Sequence, residues 1–175
     1  MKKLTGIFLK YIALVSVWSL IYHASGLRKQ LLDYSLEVLP QIQTKERSWL
    51  VGFLAVIGGE IGQTLAVLFS HHYMRKSYAL TVMTAVAMGN LINSLLKTYW
   101  HEPRPFFIKS EIVPYSCKNF EYGYPSGHAM GFMLVYRTLT NLYVTHHSFK
   151  VRTVLFTAAI MVSYNRAQQG VHSFD

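Results

Sequence analysis

Tyr78-Ala-Leu-Thr-Val-Met-Thr-Ala-Val-Ala-Met-Gly-Asn-Leu-Ile-Asn-Ser-Leu-Leu96 runs, without a charge, straight into Lys97-Thr-Tyr-Trp-His-Glu-Pro-Arg104-Pro105. The uncharged run is close to the roughly 20 residues that an α-helix needs to cross about 30 Å of hydrocarbon. Its alanines, Gly89 and serine suit close packing against neighbouring helices. Where the run ends, a lysine and an arginine are separated by six residues. A second cluster, Tyr124-Pro-Ser-Gly-His128, opens another apolar run, and a third, Arg166 followed by Gly170-Val-His172, follows the last one.

Composition agrees with a chain built for lipid. Of its 175 residues 51% are hydrophobic and only 14% charged, and mean hydropathy is +0.22. The net charge of +9 is scattered through short loops and the three clusters. No basic block of the kind that binds nucleic acid is present, so that partner is excluded. Cys117 is the single cysteine, which rules out an intrachain disulfide.

Working outward, residues 48–70 read as a second span interrupted by Glu60 and Gln63, and 127–145 as a fourth containing Arg137. A fifth ends near residue 164. Residues 4–23 follow Lys2 and Lys3; the run is long and His23-Ala-Ser-Gly is a poor cleavage site, so it reads as a retained first span rather than a signal peptide. Between the first two spans, Leu27, Leu31, Tyr34 and Val38 recur at helical spacing until Pro40. This segment, 26–47, is either an amphipathic helix on the membrane surface or a helical loop packed on the bundle. The expected fold is all-α, a polytopic transmembrane helix bundle of about five spans. Residues 1–47 form an N-terminal span plus surface segment, and 48–175 the main domain.

Loop charge orients the bundle. With a cytoplasmic N-terminus, Arg75, Lys76, Lys150 and Arg152 fall on the cytoplasmic side, as the positive-inside rule asks. Lys97, Arg104, Ser126, Gly127, His128, Arg166 and His172 then share the opposite, non-cytoplasmic face.

Three cations, a Ser-Gly turn and two histidines suit a phosphate group. Arg104 and Arg166 offer planar forks that match phosphate oxygens, and Lys97 a point charge. Backbone N–H groups where Ser126-Gly127 enters a helix bind anions. Of two histidines, one can attack phosphorus while the other protonates the departing oxygen. Taken singly, each piece has a plainer reading: Lys97 and Arg104 as interfacial anchors, Ser126-Gly127 as a helix cap, Arg166 as the end of a span. His101 with another loop histidine lacks recognised ligand spacing, so no metal and no other cofactor is expected. His23, His71, His72, His146 and His147 read as solvated or interfacial.

Together, Lys-x6-Arg-Pro, Pro-Ser-Gly-His and Arg-x5-His resemble the three-part signature of the type-2 phosphatidic acid phosphatase superfamily. Its members include lipid phosphatases, polyprenyl diphosphate phosphatases, glucose-6-phosphatase and vanadium haloperoxidases. The resemblance covers residues 97–172. It implies that Lys97, Arg104, Ser126, Gly127 and Arg166 bind phosphate, that His128 is the general acid and that His172 is the nucleophile. It further implies a metal-independent membrane phosphatase of the endoplasmic reticulum or plasma membrane, acting on a phosphorylated lipid or small molecule amid membrane lipids. Lipid or polyprenyl phosphates stand ahead of sugar phosphates, although Pro125-Ser-Gly-His-Ala-Met-Gly131 is similar to the glucose-6-phosphatase branch. Two positions depart from the pattern. Asn165 stands where the family has serine. Asp175 lies three residues after His172, where the family places an aspartate four after. The reading is therefore of a domain truncated at its C-terminal end, without the last helix of a six-helix core. A non-catalytic membrane scaffold is the alternative.

Glu60 and Arg137, near the middles of two spans, are expected to meet as a buried ion pair beneath the site. Arg137 bonding to backbone carbonyls or water, with Glu60 protonated, is the other arrangement.

Overall fold

The computed structural model describes residues 2–43, 49–114, 121–143 and 149–173. Cys117, His146, His147 and Asp175 lie outside the described residues. Among those described, eight helices and no strand are present: α1 Lys2–Ala24, α2 Leu27–Ile42, α3 Trp49–Gly58, α4 Glu60–Tyr73, α5 Lys76–Trp100, α6 Pro105–Ile108, α7 Gly127–Tyr143 and α8 Phe149–Gln168. By length and composition, the helix that starts at Lys76 is apolar and long enough to cross a bilayer, and α3 with α4 qualifies when taken together.

The run 48–70 is not one straight helix. It breaks at Gly59, whose extended backbone (φ −87°, ψ −169°) interrupts the helical dihedrals, and α3 and α4 meet at 55°. Two successive glycines leave the backbone free to break there at little cost, since neither contributes helix propensity. α5 runs further than the apolar stretch, so Lys97 sits in its last helical turn. His101, in the left-handed region at φ 52°, ends it. α8 likewise extends past residue 164 to carry Arg166 on the helix.

The core lies between α3, α5, α7 and α8. Leu54 of α3, Phe132 of α7, and Ala159 and Val162 of α8 form its centre, with Ile57 and Tyr136 against them. Within the segment 26–47, α2 packs on the bundle. Its Leu39, fully buried, joins Ile112 and Ala167, with Leu36, Ile42 and Phe106 alongside. The helix continues two residues past Pro40. Lys109 Nζ donates to the Leu36 carbonyl (3.1 Å), and the Gln43 carboxamide exchanges two hydrogen bonds with the Val113 backbone (2.8 and 3.2 Å). The end of α1 and the start of α2 are tied to the end of α5 and the loops beyond it in the same manner. Arg28 pairs with the buried Glu102 carboxylate, His23 stacks on Trp100 at 3.4 Å between ring centres, and Tyr22 stacks on Tyr124 at 4.7 Å.

The expected Glu60–Arg137 pair does not form: both side chains are exposed, and no ion pair joins them. Helical geometry supplies the reason. Arg137 follows His128 by nine residues on α7, about two and a half turns, which puts it on the opposite face of the helix. The break at Gly59 meanwhile turns Glu60 toward the His128 side.

Candidate active site

The ends of α5, α7 and α8 converge, and the three sequence clusters meet there. A cavity of about 280 Å³ is lined by Lys97, Arg104, Gly127, His128, Arg166 and His172. Lys97 arrives on the last turn of α5. Arg104 is held by the segment that enters α6, where Pro105 occupies the first helical position and gives up no hydrogen bond. Gly127 and His128 begin α7. Arg166 ends α8, after which Gly170 adopts φ +67° and its N–H bonds to the Ala167 carbonyl (2.8 Å). That left-handed residue, which glycine takes without strain, reverses the chain so that His172 points back at the cavity.

Arg104 is the organising side chain. It is 2% exposed. Its Nε donates to the Glu121 carbonyl (2.7 Å) and its Nη1 to the Val171 carbonyl (2.8 Å), with Nη1 also 3.5 Å from His172 Nε2. One guanidinium thus fixes the loop before α7 and the turn after α8 relative to each other, using the fork geometry that lysine lacks. Burial lowers its affinity for a proton, and the neighbouring Glu121 opposes that effect. Arg166 Nη1 donates to Gln169 Oε1 (2.5 Å), while its Nε is buried with no acceptor among the described residues. A buried guanidinium N–H without a partner is costly, and an anion in the cavity would supply one.

The cations act on the histidine beside them. His172 is 5% exposed and is held well below the ordinary imidazole range, first by burial and then by Arg166, Arg104 and Lys97. It is therefore neutral near pH 7, with a lone pair available for attack. Glu121 is pulled below the usual carboxylate range chiefly by the hydrogen bond from Lys97 Nζ (2.5 Å) and by that lysine's charge. Among the described residues, no three His, Cys, Asp or Glu side chains gather where a metal could be held. His101 sets Nδ1 3.2 Å from the Tyr99 carbonyl and its ring edge-on to Tyr122.

Of the seven residues read from sequence, the structure brings six to the cavity. Ser126 is not on its wall. The Ser126 hydroxyl accepts from the Ala129 N–H (3.5 Å), a helix-capping geometry. Seven cavity residues escaped the sequence reading as site residues: Gly59, Glu60, Gln63, Asn90, Asn93, Ser94 and Glu121. Asn93 Nδ2 donates to the Pro125 carbonyl (3.1 Å) and so braces the turn before α7. Gly59 presses on His128: a Cβ built on it would lie 2.9 Å from His128 Nε2. The spacing of Asn90, Asn93, Ser94 and Lys97, one face of a helix, is the signal that was available for the α5 wall.

The fold and the motifs can be set against known proteins. No curated protein matches the chain. The crystal structure of a transmembrane PAP2-type phosphatidylglycerolphosphate phosphatase from Bacillus subtilis is similar to it over 99% of this chain and 86% of that one, with a TM-score of 0.64 and 20% identity. At that identity the likeness establishes a shared fold. The family model described as the PAP2 superfamily matches residues 78–175, which hold all three clusters. The chain belongs to the PAP2 superfamily.

Proposed function

We propose that the protein is an integral membrane phosphatase that hydrolyses a phosphate ester through a phosphohistidine, at the non-cytoplasmic face. The convergence of Lys97, Arg104, Arg166, His128 and His172 on one cavity carries this reading. Lys97, Arg104 and Arg166 hold the phosphoryl oxygens and offset their charge, assisted by N–H groups at the start of α7. A nitrogen of neutral His172 attacks phosphorus, forming a P–N bond as the P–O bond to the leaving group breaks. His128 gives its proton to that departing oxygen. Water then attacks the phosphohistidine with His128 as base, the P–N bond breaks, and inorganic phosphate and free His172 result.

A membrane setting is supported by the exterior of the bundle. Leu65, Leu68 and Phe69 of α4, Leu80, Leu91 and Leu95 of α5, and Phe156 and Ile160 of α8 are all exposed. So broad an apolar surface suits hydrocarbon. In this reading α1, α3 with α4, α5, α7 and α8 are the five spans. A phosphorylated lipid is the favoured substrate class, in keeping with a cavity at the end of the bundle and with the phosphatidylglycerolphosphate phosphatase of similar fold.

The test is phosphate release from a panel of phosphatidate, phosphatidylglycerol phosphate, polyprenyl diphosphate and glucose 6-phosphate, with rapid-quench trapping of labelled phosphoenzyme. His172→Ala should abolish both turnover and the acid-labile phosphoenzyme. Turnover that survives in that variant would refute the covalent route. A parent protein inert to the whole panel would favour a non-catalytic scaffold.

A further inference from the structure

The cavity does not end at the anion site, and its far wall has a different chemistry. Lys97, Arg104 and Arg166 form a cationic end, with neutral His172 among them. The same cavity is also lined by His128, by Glu60 and Gln63 of α4 and by Asn90 of α5. Gly59, one residue before Glu60, presses on His128 Nε2, so this wall adjoins the nitrogen side that faces a leaving group. Gln63 is 6% exposed. Its carboxamide makes no hydrogen bond among the described residues, and the accessible remainder belongs to the cavity. It is admitted there by Gly131, one turn after His128: a Cβ on that residue would fall 2.0 Å from Gln63 Nε2. Among the described residues, Glu60 forms no ion pair.

Resting on the phosphatase reading above, we propose that Glu60, Gln63 and Asn90 form a leaving-group subsite for an alcohol that carries further hydroxyls. Hydrocarbon leaves such groups unsatisfied, whereas hydroxyls satisfy them: the carboxylate and amide oxygens accept, and the amide N–H groups donate. Sites that hydrogen-bond a substrate hydroxyl discriminate strongly against the analogue without it. The same wall disfavours a diphosphate, whose leaving group would bring a second phosphate against the Glu60 carboxylate. A polyol of this kind arises either in a lipid headgroup, such as the terminal glycerol of a phosphoglycerol lipid, or in a soluble sugar or glycerol phosphate.

Binding separates the subsite from the chemistry. In the full-length detergent-solubilised protein carrying His172→Ala, affinities are measured for orthophosphate, glycerol 3-phosphate and propyl phosphate. The last two differ in the hydroxyls. Glycerol 3-phosphate should bind at least about tenfold more tightly, and Gln63→Leu or Glu60→Ala should bring the ratio close to one. A merely structural role for these residues would weaken both ligands and leave the ratio in place, which would overturn the proposal. Equal affinities in the parent would overturn it too, while retained orthophosphate binding would preserve the phosphatase reading; loss of orthophosphate binding would remove both. In the active protein, kcat/KM is compared for phosphatidylglycerol phosphate against phosphatidate and for glucose 6-phosphate against propyl phosphate. A preference confined to the lipid pair assigns a headgroup, one confined to the soluble pair assigns a free polyol phosphate, and none in either pair overturns the subsite.

Discussion

Replacing Gly59 by alanine tests whether the break between α3 and α4 serves the chemistry. The added Cβ would lie 2.9 Å from His128 Nε2, 3.3 Å from its Cδ2 and 2.7 Å from the Ala55 carbonyl oxygen. Comfortable contacts between such atoms begin near about 3.5 Å. Either the imidazole withdraws by roughly half an ångström or the helix break opens to a similar extent. A misplacement of about 1 Å at a reacting group can cost around a hundredfold, so about ten- to thirtyfold in kcat is expected here. The loss should depend on the leaving group, because in the proposed reaction His128 donates the proton. An alkyl phosphate should suffer the full loss and p-nitrophenyl phosphate, whose phenolate departs unaided, much less. Gly52→Ala is the control, since nothing lies within 4 Å of a Cβ at that position of α3. The assay is phosphate release from both substrates, with thermal unfolding in detergent to confirm that the variant is folded. Unchanged turnover of the alkyl phosphate, or equal losses on the two substrates, would refute this account of Gly59.

Three further outcomes are expected. Arg104→Lys cannot reproduce the two carbonyl contacts; stranding the Val171 carbonyl should cost about 1–3 kcal/mol in thermal or denaturant stability, with turnover falling at least about a hundredfold, whereas a fully stable and active variant would contradict the organising role. His172 is held below its ordinary range when folded, so below about pH 6.5 the unfolded chain binds a proton that the native protein refuses. Its contribution to stability is then lost as pH falls, with a slope of up to about 1.4 kcal/mol per pH unit, and His172→Gln should flatten that part of the stability–pH curve. After Cys117→Ser, a cysteine at position 109 should label from the non-cytoplasmic side and one at 149 only after permeabilisation; the reverse pattern would invert the proposed orientation.

What was legible in the sequence was the part encoded at short range. Lys97 with Arg104, Gly127 with His128, and Arg166 with His172 each lie within a few residues of one another at the end of an apolar run, so motif spacing and span length together pointed to one end of the bundle. The partners that complete the site are set by tertiary packing. Glu121 reaches Lys97 from the long loop, and no local periodicity announces that pairing. Glu60 and Gln63 were read as interruptions of a straight span, because the apolar pattern of 48–70 continues on both sides of the break. The Gly58-Gly59 pair was the clue, and it turns the Glu60 side chain to the cavity rather than to Arg137. α2 was ambiguous for a related reason: a surface helix and a packed one share the same amphipathic repeat, and the apolar pocket of Ile112, Ala167 and Phe106 that receives Leu39 is made by residues distant in sequence.

The clamp of Arg28 on Glu102 bears on the order in which the protein is assembled. A buried carboxylate without its cation is strongly destabilising, so the loop that carries Arg104 cannot settle until the start of α2 is in place. Synthesis supplies the two in that sequence, since N-terminal segments emerge first. Arg28, with the stacking face of His23, is already waiting when Glu102 and Trp100 leave the ribosome. The turn from α1 into α2, none of whose described residues lines the cavity, thereby acts as the template on which the cavity end of the bundle is laid down.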